Sequence, residues 1–174
     1  MRIYLFTTGG TLEKIYREQT GAVENVESKV DRYLERLRLP DLEIDVTRLM
    51  NKDSLEMTDA DRAMILGAVT QKLTASPAPV VITHGTDTMV QTGLALKQGL
   101  GHLEVPVILT GAMTPLGFEA SDGLQNITES LLAARLLAPG VYVVIHNQVF
   151  PVDRVRKNRD LARFVSTEDD PVRA

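Results

Sequence analysis

The chain has 174 residues, with 19 Lys+Arg against 23 Asp+Glu, a formal net charge of −4, and neither cysteine nor tryptophan. The lack of cysteine excludes disulfides, a thiolate nucleophile, thiolate-bound zinc and iron–sulfur clusters. Four Tyr and four Phe on an acidic chain offer too little base stacking and the wrong charge for a nucleic-acid partner.

Read in chain order, β-type apolar runs alternate with helical patterns. Residues 3–6 form a short apolar run, too short for a signal peptide or a membrane span, and predict a first buried strand in a cytoplasmic protein. Residues 27–37 set Val30, Leu34 and Leu37 at helical spacing, and residues 44–49 predict a second strand. Thr58-Asp59-Ala60-Asp61 reads as a capping box opening a helix with Ile65, Leu66, Val69 and Leu73 on one face. Residues 75–79, with two prolines, form a loop before a third strand at 80–83. A helix over 87–100 stops at Gly101, a strand follows at 105–110, and a helix over 122–137 ends before Pro139-Gly140. A fifth strand covers 141–146, and the polar tail 166–174 is expected to fray or to pack on a partner. Near-continuous Val/Ile/Leu strands imply burial on both faces, as in a parallel sheet. The expectation is one α/β domain over 1–174: a doubly wound, mainly parallel sheet flanked by helices, Rossmann- or flavodoxin-like.

Three of these strands run directly into Thr/Gly-rich loops: Thr7-Thr8-Gly9-Gly10-Thr11, Thr83-His84-Gly85-Thr86-Asp87-Thr88 and Thr110-Gly111-Ala112-Met113-Thr114. In an open parallel sheet all three meet beyond the carboxyl ends of the strands, where small ligands bind. Glycine lets backbone approach a ligand closely, and hydroxyls supply short polar groups. The same residues also serve as ordinary turn and cap chemistry; their repetition in three loops favours a site. Neither a Walker loop, a Gly-x-Gly-x-x-Gly after the first strand nor a Gly-x-Ser-x-Gly elbow is present, and His84, His102 and His146 lack metal-ligand spacing, so no metal and no cofactor is expected. The remaining nucleophiles are hydroxyls, which need a base: a histidine, an acid or a lysine. A lysine beside Asp87 is held in place but kept charged by it, so a lysine base needs offsetting desolvation. Residues 154–163 carry five basic residues and one acid, Asp160, a solvated face or interface from which one member can turn into the site.

Taken together, these motifs resemble those of the bacterial-type L-asparaginases. Thr8-Gly9-Gly10-Thr11-Leu12 resembles that family's amino-terminal signature and His84-Gly85-Thr86-Asp87-Thr88-Met89 its second. Thr110–Pro115, Ser121-Asp122-Gly123 and Lys52–Thr58 resemble the segments around them, in the same order along nearly the whole chain. The resemblance implies hydrolysis of L-asparagine to L-aspartate and ammonia, with L-glutamine as a side substrate. It implies Thr11 as the nucleophile that forms an acyl-enzyme, and Thr86 as a second threonine linked to Asp87 and to Lys157. Asp87 would also bind the substrate ammonium, Ser54 its α-carboxylate, and the Ala112 carbonyl its amide NH2. Backbone N–H groups near Gly10 or Thr86 would form the oxyanion hole, with Gly85 lining the same wall.

Three departures from the family pattern stand out. Typical members continue into a C-terminal domain that helps bind the ammonium across a subunit interface, and the chain is expected to lack it. Leu55 stands at a substrate-contact position where many members carry a polar residue. Tyr16, the only tyrosine between Thr11 and Glu27, is the candidate for the family's mobile catalytic tyrosine, although it lies close to Thr11. The expected protein is a short asparaginase assembled as a homodimer or homotetramer, with no membrane or nucleic-acid partner. A non-catalytic amino-acid-binding module with the same pocket is the alternative. The amidase part of a tRNA-dependent amidotransferase ranks last, for want of length and basic surface.

Overall fold

The computed structural model describes residues 1–25 and 30–168. The chain runs β1 (Arg2–Gly9), a 3-10 turn (Thr11–Glu13), β2 (Lys14–Arg17), β3 (Ala22–Asn25), α1 (Val30–Leu34) and β4 (Glu43–Lys52). A second 3-10 turn (Ser54–Glu56) leads into α2 (Asp59–Ala75), β5 (Val80–Thr83), α3 (Met89–Leu100), β6 (Pro106–Thr110) and α4 (Gly123–Leu136). The chain ends in β7 (Gly140–Ile145), β8 (Gln148–Pro151), β9 (Val155–Asn158) and β10 (Arg163–Ser166).

The main sheet has the order β4-β1-β5-β6-β7-β8. Its first five strands are parallel, and β8 pairs antiparallel to β7 at the edge. The five parallel strands thus follow the flavodoxin-like order, which reverses direction between β1 and β5. Side-chain alternation sorts the strands' apolar residues onto two faces. Tyr4, Phe6, Val80, Ile82, Val107 and Leu109 pack with Ile65 and Val69 of α2 and Met89 and Leu96 of α3. Ile3, Leu5, Val81 and Ile108 pack with Val30 of α1 and Ile127 and Leu131 of α4. Helices therefore cover both faces, and the fold is the expected doubly wound α/β sandwich.

Local chemistry sets the element boundaries. Thr58 caps α2: its hydroxyl accepts from the Asp61 N–H at 3.3 Å while the Asp61 carboxylate accepts from the Thr58 N–H at 2.8 Å, the reciprocal box read from the sequence. The helix expected over 27–37 is shorter than its apolar spacing implied. It ends at Leu34 in isolated turns, and residues 27–29 lie outside the described ones. β1 and β4 are longer than their apolar runs, because the ladder between them continues through Thr7–Arg48 and past a bulge to Gly9–Lys52. The β2–β3 and β9–β10 hairpins and the edge strand β8 have no counterpart among the predicted strands. The tail reading reaches only to residue 168; the rest lies outside the described residues. Among the described residues, no helix is long and apolar enough to cross a membrane.

Candidate active site

The site is built at the carboxyl ends of β1, β5 and β6, around the reversal of strand order. β1 delivers Thr7 and Thr8 in buried positions, and the Thr8 hydroxyl donates to the Thr83 carbonyl at 2.8 Å, tying the end of β1 to the end of β5. Gly10 follows with φ 73° and ψ −172°, a conformation open in practice only to glycine. A Cβ there would lie 2.3 Å from the Gly85 nitrogen, so the two loops touch backbone to backbone. Gly10 donates its N–H to the Lys52 carbonyl at 2.8 Å, and its own carbonyl accepts from Asn25 Nδ2 at 2.8 Å. Asn25 also donates to Asn51 Oδ1 at 2.9 Å, so the β2–β3 hairpin and β4 grip the glycine from outside. Thr11, half-buried, opens the 3-10 turn at this junction.

The loop after β4 closes a second side. Lys14 donates to Asp53 at 2.6 Å, and Asp53 accepts from the Leu55 N–H at 3.0 Å, capping the 3-10 turn that begins at Ser54. The Lys14 bond, the Leu55 N–H and the more distant Lys157 charge hold the Asp53 carboxyl below its ordinary value. Ser54 is buried, and its side chain fills the space that a Cβ on Gly85 would take, 2.5 Å away. The Thr88 hydroxyl donates to the Ser54 carbonyl at 2.8 Å and fastens this loop to the loop after β5.

At the centre, Lys157 Nζ donates to Thr86 Oγ1 at 2.7 Å and to Asp87 Oδ1 at 3.0 Å. Thr86 is 3% exposed. Arg159 Nη2 donates to the same Asp87 oxygen at 2.9 Å. Beneath the loop lies His84, fully buried. Its Nδ1 stands 2.8 Å from the Gly85 carbonyl, which can only accept, so Nδ1 carries the proton and Nε2 accepts from the Thr92 hydroxyl at 2.8 Å. Burial pushes the imidazole pKa down to about 4, which keeps the ring neutral. His84 is therefore a post under the loop.

The loop after β6 forms the third wall. Ala112 is buried there. The preceding Gly111 carbonyl accepts from Asn126 Nδ2 at 2.8 Å, and Asp122 Oδ1 accepts from the N–H groups of Met113 and Thr114 at 3.0 and 2.9 Å. His146 Nε2 lies 2.7 Å from Asp122 Oδ2. Burial works to raise the Asp122 carboxyl, but the Met113 and Thr114 N–H groups, with His146, outweigh it and hold the group below its ordinary value. Among the described residues, no group of three or more His, Asp or Glu is placed to hold a metal ion.

Of the residues singled out from the sequence, Thr86 and Asp87 are both bonded to Lys157. Gly10, Gly85 and Ser54 form the wall beside them, Thr11 follows Gly10, and Ala112 sits on the neighbouring loop. Leu55 follows Ser54 in the 3-10 turn and is 66% exposed. Tyr16 is not bonded to this cluster: it projects from β2, 57% exposed, into a groove lined by Lys14, Leu116, Gly117 and Phe118. The sequence reading missed Asn25, Lys14 and Arg159. Arg159 lies in the turn just past β9, where strand periodicity gives no signal for it.

A family model described as Asparaginase, N-terminal, matches residues 2–173. The L-asparaginase of Thermococcus kodakarensis is 31% identical over 162 residues, covering 92% of this chain and 49% of that one. Its solved structure superposes with a TM-score of 0.83 at 30% identity, covering 95% of this chain and 51% of that chain. A glutamyl-tRNA(Gln) amidotransferase subunit of Methanococcus vannielii is 33% identical over 148 residues, covering 84% of this chain and 34% of that one. The chain thus spans half or less of the length of these relatives. By the extent of the family match and by its likeness to these relatives, the chain belongs to the asparaginase family through that family's N-terminal domain.

Proposed function

We propose that the chain is an amidohydrolase that converts L-asparagine to L-aspartate and ammonia through a threonyl ester on Thr11. The observation that carries this reading is the contact of Lys157 with both Thr86 and Asp87 at 2.7 and 3.0 Å, beside the Gly10–Gly85 junction from which Thr11 emerges. A hydroxyl attacks an amide only if its proton is taken up and the developing oxyanion is held. Lys157, which must first give up its own extra proton, takes the Thr11 proton through Thr86, and backbone N–H groups near Gly10 or Thr86 hold the oxyanion. The Thr11 oxygen adds to the side-chain carbonyl carbon, the C–N bond breaks, and the nitrogen leaves as ammonia with the hydroxyl's proton. Water then cleaves the ester, giving the carboxylate and restoring Thr11. Asp87 takes the substrate's α-ammonium, Ser54 its α-carboxylate, and the Ala112 carbonyl its amide NH2. The active unit is a homo-oligomer, which light scattering tests.

Ammonia release from L-asparagine, measured beside Thr11→Ala and Lys157→Ala, tests the reading. Each variant should fold and lose at least about a hundredfold in kcat, the usual scale for removing a proton-transfer group or a nucleophile. Unchanged turnover in both variants sinks the assignment. An inactive wild type whose melting temperature rises with L-aspartate supports a binding module instead. The likeness to the amidotransferase subunit favours a second reading, in which the same chemistry acts on glutamine and the ammonia passes to a partner. A kcat/KM for L-glutamine above that for L-asparagine would favour it.

A further inference from the structure

We propose that Arg159 tunes the substrate preference of this site: by engaging Asp87 it disfavours a free α-ammonium and shifts the site toward side-chain-amide acids that lack one, such as succinamate. The inference rests on the reading above, in which Asp87 is the ammonium's partner.

The geometry is a charge count around one carboxylate. Lys157 Nζ and Arg159 Nη2 both donate to Asp87 Oδ1, at 3.0 and 2.9 Å. The other nearby carboxylate, Asp53, is engaged by Lys14 at 2.6 Å. An arriving ammonium is therefore a third cation on a carboxylate that already serves two. It must displace Arg159 or bind the second oxygen beside it. A guanidinium remains charged at any working pH and holds several donors in a fixed plane. It therefore repels the ammonium and leaves donors for an anionic carboxylate. L-Asparagine carries both groups, and the two effects oppose each other. Succinamate carries the amide and the carboxylate alone, and only the attraction remains. Arg159 is 69% exposed along its side chain, so water screens both effects. The expected discrimination is about fivefold, the scale of a partly solvated ion pair.

The test compares wild type, Arg159→Ala and Arg159→Lys. In each, kcat and KM are measured for L-asparagine and succinamate, and the binding of L-aspartate and succinate by calorimetry. Wild type should release ammonia from succinamate. Arg159→Ala should raise the asparagine-to-succinamate ratio of kcat/KM by about fivefold, through KM, and raise the affinity for L-aspartate relative to succinate by a similar factor. Arg159→Lys, which keeps the charge, should stay nearer to wild type. A ratio that is unchanged or falls in Arg159→Ala, with wild type turning over asparagine, overturns the role of Arg159 and leaves the amidohydrolase reading intact. No ammonia from either amide, with succinate still bound and the binding ratio shifted as stated, overturns the amidohydrolase reading and supports Arg159. Binding of neither dicarboxylate, with no turnover, overturns both.

Discussion

Adding one methyl group at Gly10 tests whether the site depends on backbone contact between the β1 and β5 loops. In Gly10→Ala the new Cβ lies 2.3 and 2.4 Å from the Gly85 nitrogen and Cα and 2.9 Å from the His84 carbonyl carbon. These are backbone atoms, which cannot swing aside as a side chain would. The residue must also hold φ 73° and ψ −172°, a strain of about 1–3 kcal/mol for any residue with a Cβ. Overpacking against a fixed neighbour adds about 1–3 kcal/mol, so the expected loss is about 4 kcal/mol. At about 2–4 °C per kcal/mol for a chain of this size, the melting temperature should fall by about 8–16 °C. Gly21 supplies the control, because its φ is 67° and no atom stands within 4 Å of an added Cβ. Gly21→Ala should lose about 1 kcal/mol, from conformation alone. Calorimetric melting of both variants, with ammonia release from L-asparagine, reads the difference. Equal melting temperatures, or a Gly10→Ala protein with full turnover, would show that the two loops do not depend on this contact.

Acid should weaken the fold through His84. Its folded pKa of about 4 lies below the ordinary 6.5, so the unfolded chain takes up the proton first. Stability is then complete above pH 6.5 and is lost as the pH falls toward 4, by about 3 kcal/mol at 1.36 kcal/mol per unit. Urea midpoints at pH 7 and pH 4.5 should separate in wild type and converge in His84→Gln, since most carboxylates titrate lower; equal separations would refute the assignment. At Asp122, one oxygen accepts from two backbone N–H groups. Asp122→Ala should therefore cost about 2–4 kcal/mol, and Asp122→Asn, which keeps an acceptor, less than half of that. Equal losses in urea would mean that those bonds do not hold the loop.

What the sequence made legible follows from burial. The five parallel strands are covered on both faces, so almost every position of β5 and β6 had to be apolar, and runs such as Val80-Val81-Ile82 announced themselves. The capping box before α2 was equally readable, because its hydrogen bonds lie within four residues. The β2–β3 hairpin was not. Its strands have four residues each and are only half-buried, so neither carries the apolar alternation that marks a strand packed on a core. Asn25, which holds Gly10, went unseen with it. The 3-10 turn at Thr11 lies between β1 and this hairpin and went unseen with it.

The site divides along the same line. The Thr/Gly loops were readable because each follows a buried strand, and parallel strands bring their carboxyl ends to one edge. Which of five basic residues between 154 and 163 enters that edge was not decidable from composition. Pairing in the β9–β10 hairpin decides it. Lys157 stands opposite Phe164, and Arg156 opposite Val165. Residues directly opposite in an antiparallel pair share a face, as do residues two apart on one strand. Phe164 and Val155 are both buried in the core that lies against α2 and α3. The burial of those two apolar side chains therefore commits Lys157 to the inward face, toward Thr86 and Asp87, and turns Arg156 to the other. The lysine is positioned by hydrophobic packing around it, and its bond to Asp87 completes an orientation already set. If Lys157 acts as proposed, Phe164→Ser should lower ammonia release from L-asparagine, because the aromatic ring holds the hairpin face that presents the amine; turnover equal to wild type would refute this account of how the lysine is held.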